Sequence, residues 1–314
     1  MDSANKEQRS TSLMVWVRLA RVPFLTASIV PVALGTTIAW VSYGIFNLAF
    51  FVLTLIGGIC LHLGTNIIND YFDYKSGCDT INAEGLSPIS GGSRVLVDGL
   101  VKPQAAYIGA LSFFGIAGLV GAALSVLVGW EILLLGLIGV VSGYFYVTQL
   151  ATRGVGELVV GLNFGSLMVL GSYYVQTRNL ALSPLIASVP VGLLIAAVLW
   201  INEIPDYAAD KSVGKNTLVV RVGRKRAADL YAFIVGAAYL WTLIMVVLNQ
   251  MPRGSLLVLA TLPLAVKGIS VARKHYEEPR SMIVANLSTI KIHMLFGALI
   301  VGGYLLDYLV RLFW

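Results

Sequence analysis

Nine times in 314 residues the chain runs, with hardly a charge, for about the length of a bilayer crossing. A helix needs roughly 20 mostly apolar residues to span the hydrocarbon. The nine stretches cover approximately residues 23–43, 48–68, 104–128, 132–147, 158–175, 182–201, 227–248, 255–271 and 292–312, the fourth and eighth being short. Hydrocarbon offers no partner to a backbone N–H or C=O, so a spanning segment is a helix or part of a closed barrel. These runs lack the alternation of barrel strands. The expected fold is therefore all-α, a polytopic membrane bundle of about nine transmembrane helices forming a single domain over residues 1–314. Only 12% of the residues are charged, against roughly 25% in soluble domains. Length alone would allow two soluble domains, but the apolar runs are too many and too long for buried core helices.

Basic residues give such a bundle a direction. If all nine runs cross, the N-terminus and the loops after the second, fourth, sixth and eighth share one side. That side carries every Lys and Arg except Arg178, Arg253 and Arg311. The positive-inside rule makes it cytoplasmic, and the expected location is the cell inner membrane. The first apolar run continues into a full crossing after polar and basic residues, so no cleavable signal peptide is expected. Lipid headgroups beside Arg9, Arg18, Arg273 and Lys274 account for the net charge of +6 without a nucleic acid partner. Cys60 lies in an apolar run and Cys78 beside acids, both toward the reducing side, so no disulfide is expected.

Two polar loops, near residues 76–102 and 203–224, follow runs that end in acids, and both are cytoplasmic by the charge count. The first run ends NIINDYFDYKSGCDT, where Asn66, Asp70 and Asp73 fall on one helical face and Asp79 follows Gly77. The second ends WINEIPDYAADKSVGKNTL, where Asn202, Asp206 and Asp210 again share a face and Pro205 is expected to bend the helix. The two Asn-x-x-x-Asp pairs form a weak internal duplication. Neighbouring carboxylates repel each other, and near hydrocarbon each is costly unless paired. A divalent cation removes that penalty. Magnesium prefers oxygen ligands and is commonly held by one or two carboxylates plus substrate phosphates. Asp70, Asp73, Asn202, Asp206 and Asp210 are thus candidate Mg2+ ligands around a diphosphate, the four aspartates being the catalytic candidates. Lys211 and Lys215, Arg221 in TLVVR, and Arg94 in the glycine-rich SGGSRVL would suit the anion. Lipid contact alone is the other account of these cations.

These motifs resemble the UbiA superfamily of intramembrane aromatic prenyltransferases. NDYFDYKSGCD is similar to that family's first acidic signature and NEIPDYAADKSVGKNTLVVRVG to its second, and the likeness extends along the whole chain to the Arg-x-Pro opening at Arg21 and Pro23. GVGELVVGLNFGSLMVLGSYYVQT and the GKNTLVVRVG ending look most like the menaquinone branch. The resemblance implies an Mg-dependent transfer of a polyprenyl group from its diphosphate to an aromatic acceptor. For that branch the acceptor is 1,4-dihydroxy-2-naphthoate, which loses its carboxyl group. The implied diphosphate contacts are Lys211, Lys215, Arg94, Arg21 and Arg221. Asn66, Asn69, Tyr146, Asn163 and Tyr174 are weaker candidates for the prenyl chain or acceptor, and Tyr144 and Tyr173 would suit either a cavity wall or packing. His62, one turn before Asn66, would be a packed histidine or reach the site. Two departures stand out: Gly77 occupies a position where the family usually has Asp, and FYVTQLATRG replaces a lysine-bearing run. The partners implied are the polyprenyl diphosphate, the acceptor and membrane lipid. Other acceptors remain open (4-hydroxybenzoate, homogentisate, a chlorophyllide or a glycerol-phosphate lipid). A cation-coupled transporter, which paired carboxylates in a repeated bundle would also suit, is the alternative of another class.

Overall fold

The computed structural model describes residues 12–82 and 92–313. Ser90 and Gly91 of the glycine-rich stretch therefore lie outside the described residues, as does Arg9. Among the described residues all regular structure is helical. The helices named here are α1 (Thr26–Tyr43), α2 (Leu48–Ser76), α3 (Pro103–Val128), α4 (Glu131–Tyr144), α5 (Gly156–Thr177), α6 (Leu182–Ser212), α7 (Arg224–Val247), α8 (Arg253–His275) and α9 (Pro279–Phe313).

Eight helices of the described residues are long and apolar enough to cross a membrane, α1 counting from Val22, whereas α4 has only 14 residues and is followed by the π-helical turn Tyr146–Ala151. The brief eighth run lengthens because α8 opens as the 3-10 helix Arg253–Thr261. A 3-10 segment rises about 2.0 Å per residue rather than 1.5 Å, so fewer residues cover the same depth. Two helices overshoot. α2 has 29 residues and α6 has 31, well beyond the ~20 a crossing needs. The excess turns carry Asp70 and Asp73 on α2, and Asp206 and Asp210 on α6.

The largest core cluster joins α1, α6, α7 and α9, and α2 packs along α3 beside it. α5 and α6 touch backbone to backbone, since a Cβ on Gly192 would stand 2.6 Å from the Gly161 carbonyl oxygen. Small residues permit that approach where lipid provides no hydrophobic drive.

α6 contains two prolines, Pro190 and Pro205. Each lacks an N–H, which leaves the carbonyl four residues earlier without its helical partner. Neighbouring side chains supply the missing donors. Trp241 Nε1 of α7 donates to Ile186 O at 3.0 Å, and Asn286 Nδ2 of α9 lies 3.5 Å from Ile201 O and 2.6 Å from Asn202 Oδ1. The second acidic cluster is thereby held at a fixed height beside the first.

Candidate active site at the acidic ends of two helices

The overshooting ends of α2 and α6 enclose a polar cavity of about 170 Å3. Asp73 from α2 and Asp206 and Asp210 from α6 line it, with Asn66, Asn69 and Asn202 deeper along the same faces. Lys215 closes one side. Its chain returns through a turn in which the Lys215 N–H donates to Asp210 O at 2.9 Å. Its Nζ stands 3.2 Å from Asp73 Oδ1 and 3.5 Å from Asp210 Oδ1, so one cation bridges the two clusters. Burial works against that charge, but Asp210 and Asp73 more than offset it, and the Lys215 pKa lies well above its ordinary value. On the second helix Asp206 Oδ1 accepts from Asn82 Nδ2 at 2.9 Å.

Arg21 reaches the cavity from the chain before α1, in the left-handed conformation at φ 51°. Such an outlier on a non-glycine residue persists where its surroundings impose it. Its guanidinium pairs with Asp70 Oδ1, while Asp70 Oδ2 accepts the Ser93 N–H at 3.0 Å. Asp70 therefore stands behind Arg21 rather than on the cavity wall. Burial disfavours the guanidinium's charge, but Asp70 and then Asp79 raise its pKa above the usual value.

Asp79, to which the sequence assigned no role, is part of the wall. Gly77 ends α2 at φ 81°, and the short helix Cys78–Ile81 turns back so that Asp79 faces the cavity. Gly92 packs on it at φ 75°, where a Cβ would lie 2.6 Å from Asp79 Oδ2. Asp79 is 5% exposed and has no hydrogen-bond or ion-pair partner among the described residues. Burial, then Asp73 and Asp70, push its pKa up to about 8, with Arg21 and Lys215 pulling the other way. A carboxylate so placed favours its neutral form and destabilises the fold as pH rises from about 4 toward 8. In metal-free buffer at pH 8, Asp79→Asn should melt higher than the parent protein in a thermal scan, and magnesium should narrow or reverse the gap. A lower melting point without metal would show that the carboxylate has an internal partner.

The other candidates divide. Lys211 is exposed over the Tyr207 ring, 5.6 Å from its centroid. Arg94 Nη1 donates to Asn82 O at 3.0 Å, and Arg221 Nε to Asn216 O at 3.0 Å. None of these three lines the cavity. Tyr174 donates to Glu131 Oε2 at 2.6 Å, away from the acids, and Gln176 is tied through its amide to Asn47. Tyr144 meets Tyr107, Tyr173 packs beside Tyr43, and Glu157 anchors the second loop by accepting the Leu218 N–H at 2.8 Å. Both cysteines are free, and Cys78 Sγ lies 3.3 Å from Asp210 Oδ1.

A second cavity, about 390 Å3 and partly open, adjoins the first. Glycines such as Gly57, Gly118, Gly136 and Gly139 make room in it, and Asn163 lies in its wall, donating to Ser142 Oγ at 2.5 Å. Thr65, Tyr146, Val160 and Phe164 border both cavities. A polar, acid-lined chamber thus passes into an apolar one.

Among the described residues no three acids, cysteines or histidines converge as a closed metal cage would. Magnesium needs no such cage, because it keeps waters and takes one or two carboxylates beside substrate phosphates. The hard oxygens of Asp73, Asp79, Asp206 and Asp210 around one chamber fit that demand.

Known proteins resemble this chain in sequence and in fold. The chain is 32% identical to the 1,4-dihydroxy-2-naphthoate octaprenyltransferase of Bacillus subtilis (strain 168) over 305 residues, covering 96% of this chain and 95% of that protein. In fold it is similar to a UbiA homolog from Aeropyrum pernix K1, with a TM-score of 0.67 at 18% identity over 91% of this chain and 98% of that one. It is also similar to a UbiA homolog from Archaeoglobus fulgidus bound to DMAPP and Mg2+, with a TM-score of 0.62 at 16% identity over 91% and 99%. The profile of the UbiA prenyltransferase family matches residues 28–300, both acidic helix ends included, and the chain belongs to that family.

Proposed function

We propose that this protein transfers a polyprenyl group from its diphosphate to 1,4-dihydroxy-2-naphthoate, with loss of the acceptor's carboxyl group, as a step in menaquinone biosynthesis. The observation that carries this reading is the junction of an acid-lined chamber with an apolar one. A prenyl diphosphate has the same division between a charged head and an apolar tail. The likeness to the Bacillus subtilis naphthoate enzyme along nearly the whole chain supports this acceptor. The charge bias across the spans supports a cytoplasmic chamber in the cell inner membrane.

The acids of both helix ends would hold magnesium: Asp73, Asp206 and Asp210 at the wall, Asp79 beside them, and Asp70 behind Arg21. Bound there, the metal supplies positive charge opposite the departing diphosphate. Arg21 and Lys215 face the same chamber and add their own charge as the carbon–oxygen bond breaks. Tyr146 and Phe164 turn aromatic rings to the junction, where an allylic cation gains from ring faces. The apolar chamber seats the tail and keeps water from the cation. Attack through the carboxyl-bearing ring carbon leaves an intermediate that regains aromaticity by expelling carbon dioxide, so no base is needed to remove a ring proton.

Carboxyl-labelled 1,4-dihydroxy-2-naphthoate tests the reading. One labelled carbon dioxide should appear per prenyl group transferred by purified protein. Label kept in the product, or no product from this acceptor while another phenol is prenylated, would remove the assignment.

A further inference from the structure

His62 sits on the inner face of α2, one turn before Asn66 and about 12 Å along the helix axis from Asp70. It is 5% exposed and lines the polar chamber. Its Nδ1 lies 2.9 Å from Ser28 Oγ, and the same hydroxyl lies 3.4 Å from the Gly58 carbonyl oxygen. A serine hydroxyl has one proton to donate. With that proton directed to Gly58 O, the imidazole donates Nδ1–H to Ser28 Oγ and Nε2 is left without a proton; with it directed to Nδ1, Nε2 carries the ring proton. No residue among those described takes up Nε2. Phe164, one of the residues bordering both chambers, braces the ring at 4.7 Å between centroids. Of the amides nearby, Asn66 Nδ2 donates to Ala20 O at 3.0 Å and Asn202 Oδ1 accepts from Asn286. The chamber therefore presents an unengaged ring nitrogen beside an aromatic ring.

We propose that His62 grips the aromatic acceptor, its Nε2 accepting a hydrogen bond from the ring hydroxyl next to the carbon that is prenylated. This rests on the function proposed above and adds the residue that orients the acceptor. A phenolic O–H shared with an imidazole nitrogen pushes electron density into the ring at the neighbouring carbon, where the new carbon–carbon bond forms. The hydroxyl keeps its proton throughout. The electron pair that restores the ring comes from the bond to the departing carboxyl group, and pyrophosphate leaves from the donor. Ser28 holds Nδ1 from outside the site, so a polar packing contact and an acceptor clamp are the two ends of one ring.

His62→Asn and His62→Gln separate these ends. Asparagine reaches only as far as Nδ1 and can keep Ser28, whereas glutamine places an oxygen near the Nε2 position. In purified protein, His62→Asn should raise KM for the acceptor at least tenfold and leave KM for the prenyl diphosphate within twofold. His62→Gln should recover most of the loss. An acceptor methylated at the hydroxyl in question should be penalised at least tenfold more by the wild-type protein than by His62→Asn. Equal shifts in both KM values, or equal penalties for the methylated acceptor, would overturn the proposal. If His62→Asn does not fold, a wild-type protein indifferent to the methyl group overturns it alone. Should the wild-type protein refuse dihydroxynaphthoate and prenylate another phenol, the earlier reading fails, and the same comparison made with that phenol still decides the role of His62.

Discussion

Asp206→Ala is expected to abolish prenyl transfer and leave the fold intact, whereas Asp70→Ala is expected to lose both. Asp206 lines the chamber near the end of a long helix, and its Oδ1 accepts a hydrogen bond from Asn82 Nδ2 at 2.9 Å. Removing it deletes a proposed metal ligand without breaking a buried ion pair of the kind Asp70 makes. Asp70 is 2% exposed and pairs with the buried Arg21 while also holding the Ser93 N–H. Breaking such a pair by removing one partner leaves an uncompensated charge and costs about 3–5 kcal/mol. The measurements are initial transfer rate and melting temperature in the same detergent. More than a tenth of the wild-type rate in either variant, a barrier change below ~1.4 kcal/mol, would exclude an essential role. A melting point unchanged in Asp70→Ala would show that Arg21 finds another partner.

Lys215→Ala should be the most damaging loss of a basic residue. Its ammonium stands between Asp73 and Asp210 at 3.2 and 3.5 Å. Without it two buried carboxylates face each other unscreened, so the metal-free protein should melt several degrees lower. Added magnesium should restore much of that loss, because a divalent ion answers the same two charges. Transfer should stay depressed at saturating magnesium, since the cation proposed to meet the diphosphate is gone. Lys211→Ala, with its side chain exposed over Tyr207, and Arg273→Ala, paired with Asp229 at 2.9 Å on the surface, should change the rate little. Equal losses from all three would mean that total charge, not position, is what matters.

How much of this was legible in the sequence depends on how far each residue's position depends on others. The acidic faces were legible because residues at i and i+4 share a helical face wherever that helix sits. The all-helical fold followed from hydrocarbon together with runs that lack the alternation of barrel strands. The ranking of the lysines did not. Lys211 and Lys215 both follow Asp210 in sequence, but Lys211 stays on the outer face of α6 while a turn brings Lys215 back over the chamber. Asp79 was visible as a leftover acid after Gly77; that the helix restarts and returns it to the wall depends on a glycine loop packed from elsewhere. Tyr174 and Gln176 have the depth and polarity of site residues, yet each is taken by a distant partner, Glu131 and Asn47. The apolar chamber is made by glycines, residues with no side chain to announce a wall.

The prolines of α6 carry a consequence for reading any substitution map of this protein. Trp241 meets the carbonyl freed by Pro190, and Asn286 approaches the one freed by Pro205, so each pair spans two helices and neither member makes full sense alone. Changing one partner strands a polar group in a dry interior, at about 1–3 kcal/mol, and only a matching change in the other removes the penalty. Intolerance at Trp241 therefore says nothing about closeness to a substrate. It records a repair made where one helix was broken, and the two positions are free to drift only together.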